Sequence, residues 1–141
     1  MSWNSYITTL LNQEDGLVIR DAAIVSHKSN LEAVWASSPG LEGITTAEIK
    51  ALVNPDRSKL LTTGTSVAGI NCRVLRDNRG DTLETMDMRT KKSNPDSITY
   101  SICVVKSAQA LVVVQAKKDV HGGKVNKIAF DMADYLRKKD F

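Results

Sequence analysis

The chain has 141 residues, 42% of them hydrophobic and 25% charged, and a formal net charge of +3. That describes one domain, residues 1–141, able to bury a core without disulfides or metal. The mild, dispersed basic excess does not argue for nucleic acid. No apolar run suits a transmembrane segment and no basic-then-apolar leader stands at the start, so a cytoplasmic protein is expected, with Cys72 and Cys103 as reduced, buried thiols.

In chain order, Ser2 stands as an N-cap before a short amphipathic helix carrying Trp3, Tyr6, Ile7, Leu10 and Leu11 at helical spacing. Ile7, Leu10 and Leu11 are expected inward, with Trp3 and Tyr6 one turn apart along an edge. Residues 21–28 and 33–37 read as a hairpin bearing Trp35 and ended by Pro39-Gly40. His27 has no partner at ligand or triad spacing and receives no role. Thr45 and Glu48 form a capping-box pair for a helix ending at Asn54-Pro55, with Ile44 and Ile49 as its hydrophobic staple. Residues 56–59 are read as one further helical turn.

From Leu60 to Lys117 the pattern becomes β-like, with runs at 60–63, 67–70, 72–76, 83–88, 98–105 and 111–116 separated by short turn signals. With the first hairpin, this predicts an α+β fold around an antiparallel sheet of about seven strands, the terminal helices on one face and the capping-box helix on the other. In the last stretch, 120–141, Val125, Ile128, Ala129, Met132, Ala133 and Leu136 form a helical stripe. Gly122 and Gly123 are expected in a sharp turn leading into the helix, and Arg137, Lys138 and Lys139 in its last turn, where cations suit the dipole. At roughly 100° per residue, Phe130 and Tyr135 lie about 140° apart, on opposite flanks of the stripe.

Several strings carry no chemistry. Gly64 and Gly69 bracket a phosphate-loop-like segment that lacks the Lys-Ser/Thr pair, and Ser66 within it sits in an incomplete nucleophile elbow. Arg79-Gly80-Asp81 reads as a hairpin turn. Two histidines and two cysteines without close pairing do not make a zinc site. No catalytic constellation and no cofactor are expected.

Beyond these readings, the chain resembles animal profilins along nearly its whole length. The resemblance is carried by Trp3-Asn4 with Tyr6, Asp21 to Val25, Val34-Trp35-Ala36, Asp56-Arg57-Ser58, Cys72 with Val74 and Arg76-Asp77, Thr85 to Lys91, and Val120-His121-Gly122-Gly123 with Asn126-Lys127, all in family order. It implies the profilin fold and a non-enzymatic protein that binds monomeric actin, promotes its nucleotide exchange, and binds proline-rich segments of actin assembly factors, with phosphoinositide lipids as peripheral partners. For proline-rich ligands it implies Trp3, Tyr6, Trp35, Tyr135, Leu136 and Phe141; for actin, Val74, Arg76, Arg89, His121, Gly123, Asn126 and Phe130; for phosphoinositides, Arg89, Lys91, Arg137 and Lys138. The chain departs from many relatives at Asn71, Phe130, Tyr135 and Phe141, where Lys, Tyr, His and Tyr are common. The alternative reading is a phosphoinositide- and polyproline-binding signalling adaptor whose actin face has weakened. A hydrolase using Ser66 or His121 has little support.

Overall fold

A computed structural model describes residues 2–78, 84–91 and 98–141. Its elements are α1 (Trp3–Leu11), β1 (Ile19–Ser26), β2 (Ala33–Ser37), α2 (Thr46–Val53), α3 (Ser58–Thr63), β3 (Thr65–Val67), β4 (Ile70–Asp77), β5 (Thr85–Thr90), β6 (Ser101–Lys106), β7 (Ala110–Ala116) and α4 (Gly122–Lys138), with short 3₁₀ turns at Gln13–Gly16 and Pro39–Leu41. The strands form one seven-stranded sheet in the order β2-β1-β7-β6-β5-β4-β3, every described pairing antiparallel.

Central strands β6 and β7 are apolar on both faces because both are covered. One cluster joins Ile24, Cys103, Val105, Val112 and Val114 to Ile7, Leu10, Val125, Ala129, Met132, Ala133 and Leu136 of the terminal helices. The alternate residues Val25, Ile102, Val104, Leu111 and Val113 meet Ile49 and Leu52 of α2 and Leu60 of α3. Terminal helices on one face and short helices on the other is the predicted layering. α4 packs over β5, β6 and β7, and α1 over β1 and β2. On β4 Arg73 and Leu75 stay exposed on the side opposite buried Cys72 and Val74.

The capping box forms as read: the Thr45 hydroxyl accepts from the Glu48 N–H at 3.1 Å, and the Glu48 carboxylate accepts from the Thr45 N–H at 3.0 Å. Glu48 then reaches further, accepting from the Ser66 hydroxyl at 2.7 Å and from the Ala68 and Gly69 N–H groups at 2.9 and 3.0 Å. Arg57 joins the same region to the sheet. Its guanidinium is bidentate on Asp77 at 2.9 and 3.1 Å and donates to the Leu52 and Asn54 carbonyls at the end of α2.

The structure corrects six sequence readings. Residues 60–63 are helical rather than a strand: Asp56 accepts from the Ser58 N–H and hydroxyl just before α3, and a four-residue apolar run does not distinguish the two periods. Residues 67–70 are not one strand, since Ala68 and Gly69, with φ of 52° and 79°, form the two-residue turn between β3 and β4. The Ser2 side chain makes no cap; its carbonyl instead accepts from the Ser5 N–H and hydroxyl. Gly122 and Gly123 are the first residues of α4, not a turn before it, and neither has positive φ. The turn into that helix is instead closed by His121, whose Nδ1 accepts from the Gly123 N–H at 2.9 Å. Finally, β1 starts two residues before the predicted strand and β6 starts at Ser101, leaving Ile98 outside it and 48% exposed. The Arg79-Gly80-Asp81 string lies outside the described residues.

Candidate functional site

Sequence-distant aromatic residues converge at one end of the molecule. Trp3 of α1 and Trp35 of β2 stand with ring centroids 4.6 Å apart, and Phe141 meets them edge-on at 5.1 and 6.3 Å. Trp3 contacts Tyr6 at 5.5 Å, and Tyr6 contacts Tyr135 of α4 at 5.8 Å. Such edge-to-face geometry suits the ring quadrupoles. Tyr135 and Phe141 are 39% and 40% exposed, so the cluster is a surface and not a core. Burial, a hydrogen bond with Tyr135 and repulsion from it push the Tyr6 hydroxyl above its ordinary value, keeping it a proton donor. Leu136 corrects the expectation: it is fully buried among the terminal-helix core residues and supports the rings without reaching the surface.

Phe141 is held there by contacts the sequence reading missed. Its N–H donates to the Leu136 carbonyl at 2.9 Å, and its carbonyl accepts from the Ser107 hydroxyl at 2.9 Å and from the Gln109 N–H. Ser107 and Gln109 belong to the β6–β7 turn, whose sequence signals only a break between strands.

A second, polar site lies beside the start of α4. Arg76, Asp87, His121, Gly123 and Asn126 line a cleft of about 420 Å³ together with exposed Leu75. Asn126 is oriented by donating to Asp87 of β5 at 2.8 Å. Arg76 pairs directly across from Asp87 because a register shift falls between Val74 and Arg76. Of the residues expected for actin, Arg76, His121, Gly123 and Asn126 meet here, while Phe130 lies one turn beyond Asn126 on the same helix. Val74 does not join them: it is buried, 4% exposed, against the opposite core. Asp87 and Leu75 were not anticipated; an exposed leucine next to a bulge has no sequence signature.

Arg89 occupies an adjoining pocket with Arg73, Lys91 and Thr99. Its guanidinium donates to the Thr99 hydroxyl at 2.7 Å, the Ser101 hydroxyl at 3.0 Å and the Thr99 carbonyl at 3.2 Å, which fixes its plane. The four basic residues expected to act together fall into two groups. Arg89 bonds Ser101 at the start of β6, whereas Arg137 donates to the carbonyl of Lys106 at its end, about 17 Å away at the ordinary strand rise. Lys138 is ion-paired with Asp134 at 3.1 Å.

The remaining reactive groups are committed elsewhere. Ser66 donates to Glu48, and the His121 ring caps α4. Burial, and then the Glu48 charge, push the Cys72 thiol up to about 11, against a smaller opposing pull from Lys91. Burial and Asp87 push Cys103 well above its ordinary value. Both thiols are free and unreactive in the fold. Among the described residues there is no His/Cys/Asp/Glu group able to hold a metal ion, and no helix is long and apolar enough to cross a membrane.

Comparison with known proteins places this geometry among relatives. The family profile described as Profilin matches residues 1–141. Profilin-1 of Bos taurus is 41% identical over 142 aligned positions, covering 99% of this chain and 98% of its own, and Profilin-2 of Rattus norvegicus is 39% identical with the same coverage. Mouse profilin IIa, solved in complex with a double repeat from the FH1 domain of mDia1, matches with a TM-score of 0.92 and 37% identity over 100% of both chains. LokiProfilin1, solved with rabbit actin, shares the fold at a TM-score of 0.64 and 13% identity, over 96% of this chain and 94% of its own.

Proposed function

The chain belongs to the profilin family, and on that premise we propose that it binds monomeric actin through the polar cleft, promotes actin nucleotide exchange and delivery to growing filaments, and binds proline-rich ligands on the ring cluster. Profilins are actin-binding regulators and not enzymes. The observation that carries the reading is the placement of two unlike surfaces on one helix. Tyr135 joins the rings while Asn126 lines the cleft, about 13 Å apart along α4 and on different flanks of it.

For a proline-rich ligand, the chemistry follows from the rings. A polyproline II helix is ordered before it binds, so flat rings grip its ridges at little entropic cost. The Trp3 and Trp35 indole N–H groups, and the one hydroxyl proton that the Tyr6–Tyr135 hydrogen bond leaves over, are the donors available to ligand carbonyls. Phe141 adds area without a donor. Mouse profilin IIa is seen with a double repeat from the FH1 domain of mDia1, and the correspondence over the whole chain supports the same kind of ligand here.

For actin, Arg76 and the fixed His121–Asn126 stretch of α4 supply directional polar contacts, and Leu75 the apolar one. Exchange then needs no chemistry from this chain: a protein that binds an opened form of actin more tightly raises that form's population. Arg89 and Lys91, with Arg73 beside them, are the group available to phosphoinositide headgroups, at about 1 kcal/mol per charge near a membrane surface. Arg137 and Lys138 would act separately. A cytoplasmic, cytoskeleton-associated location goes with these partners.

The test is equilibrium binding to monomeric actin at physiological salt, with nucleotide exchange followed in the same samples. Binding with faster exchange is expected. A folded sample that binds proline peptides and not actin would establish the adaptor reading instead, with Asn71 and Phe130 the first positions to examine.

A further inference from the structure

Phe141 reaches the ring cluster from beyond the end of a helix. α4 stops at Lys138, and Asp140 after it holds the left-handed conformation, with φ of 67°, that at the end of a helix is usually left to glycine. The Asp140 N–H donates back to the Arg137 carbonyl at 3.0 Å and the Phe141 N–H to the Leu136 carbonyl at 2.9 Å, bonds that close the turn within α4. What ties Phe141 to the rest of the molecule is the turn between β6 and β7. We propose that Ser107 and Gln109 of this turn are positioning residues for the proline-binding surface, holding the Phe141 ring against Trp3 and Trp35; the inference rests on the proline-binding reading above.

Ser107 is 3% exposed, and its hydroxyl stands 2.9 Å from the Phe141 carbonyl and 3.1 Å from the Ala110 carbonyl. It has one proton to donate, and Phe141 is the nearer acceptor. The hydroxyl oxygen in turn accepts from the Ala110 N–H at 3.1 Å, which sets its direction. Gln109 adds two bonds: its N–H donates to the same Phe141 carbonyl, and its side-chain amide donates to the Asp140 carbonyl at 2.9 Å. The turn itself is anchored from the other side. The His27 N–H donates to the Gln109 carbonyl at 3.0 Å, and His27 Nε2 donates to the Ser107 carbonyl at 3.1 Å. Three bonds therefore join a fixed turn to two residues that the helix has released. Phe141 meets both indoles at an interplanar angle of 84°, an arrangement that a small shift of its backbone would break. With the backbone freed, the ring is seated only part of the time, and binding weakens toward that of a surface without Phe141.

Anisotropy titration of a labelled all-proline peptide tests this. Ser107→Ala should weaken binding roughly fivefold and Gln109→Ala roughly threefold, each through the loss of one hydrogen bond, with actin affinity unchanged in both. A residue that acts only through Phe141 loses its effect once that ring is gone. Phe141→Ala alone should therefore weaken binding more than either, and adding Ser107→Ala or Gln109→Ala to it should change nothing further. Near-UV circular dichroism of the indoles, read without ligand, should shift in Ser107→Ala toward the Phe141→Ala spectrum. Full proline affinity in both single variants overturns the inference, as does a loss of the same size in the Phe141→Ala background, which would make the turn a matter of general stability. Should Ser107→Ala not fold, the Gln109→Ala and Phe141→Ala pair decides alone, since the Gln109 side chain is only half-buried. A Phe141→Ala protein that binds at full strength removes this ring from the surface and the inference with it, leaving the proline-binding reading to the other rings. If the unmodified protein does not bind the peptide, that reading itself fails and this inference with it.

Discussion

Glu48 concentrates more interactions than its place in a capping box suggests. Burial pushes its carboxyl up, but hydrogen bonds from Gly69, Ser66, Thr45 and Ala68 outweigh burial and hold it below its ordinary value of 4.5. Because the folded value is the lower one, Glu48 stabilises the fold above pH 4.5, and that contribution is lost as pH falls through the folded value. The carboxylate also steadies the Ala68-Gly69 turn, where Ala68 holds the left-handed conformation without being glycine. Glu48→Gln places an amide donor against these N–H donors. Urea unfolding at pH 7 should show a loss of about 2 kcal/mol, and the difference from the unmodified protein should shrink at pH 4. Identical midpoints at pH 7 would mean that the carboxylate does not hold the turn.

At the scale of elements, the start of α4 couples stability to function. A methyl group added at Gly123 would lie 3.1 Å from His121 Nδ1 and 3.3 Å from Cε1, displacing the ring that caps the helix. Gly123→Ala therefore gains about 1 kcal/mol of helix propensity and loses a cap of about the same size. Thermal unfolding should barely change, while actin affinity should fall roughly tenfold as His121 leaves its oriented position in the cleft. Unchanged actin affinity in this variant would remove His121 from the contact surface. Arg57 plays a different part in its region: by binding Asp77 and two carbonyls at the end of α2, it fastens the short helices to β4.

At the scale of the whole molecule, the ring cluster and the cleft predict independent sites. Trp3→Ala should abolish proline-peptide binding and spare actin, and Arg76→Glu should do the reverse, each checked for folding by circular dichroism before titration. With both ligands present, each dissociation constant should stay within about twofold of its value alone, a coupling of less than 1 kcal/mol. Loss of both activities in either folded variant would refute the separation of faces. The separation follows from layering. α4 rests on β5 to β7, so its first turns open toward the exposed side of β4, while its last turns pack beside α1.

Much of this was legible in the chain, but unevenly. The Thr45–Glu48 box, the stripe from Val125 to Leu136 and the opposed flanks of Phe130 and Tyr135 came from residues within a few positions of one another, and these are the readings the fold bears out. Burial was harder to read. Val74 and Leu136 are apolar residues next to surface positions, and which side they face depends on where the bulge and the helix come to rest. By itself, the sequence determined the elements whose signals are local: caps, periodic stripes, and the helix and strand runs long enough to show a period. Only the tertiary structure decided the rest. It set Asn126 against Asp87 across 39 residues and Phe141 against Ser107 across 34, and divided four basic side chains between the two ends of β6. The physical reason is reach: a cap or a stripe acts within a turn of helix, whereas these contacts exist only once the sheet has brought distant segments side by side.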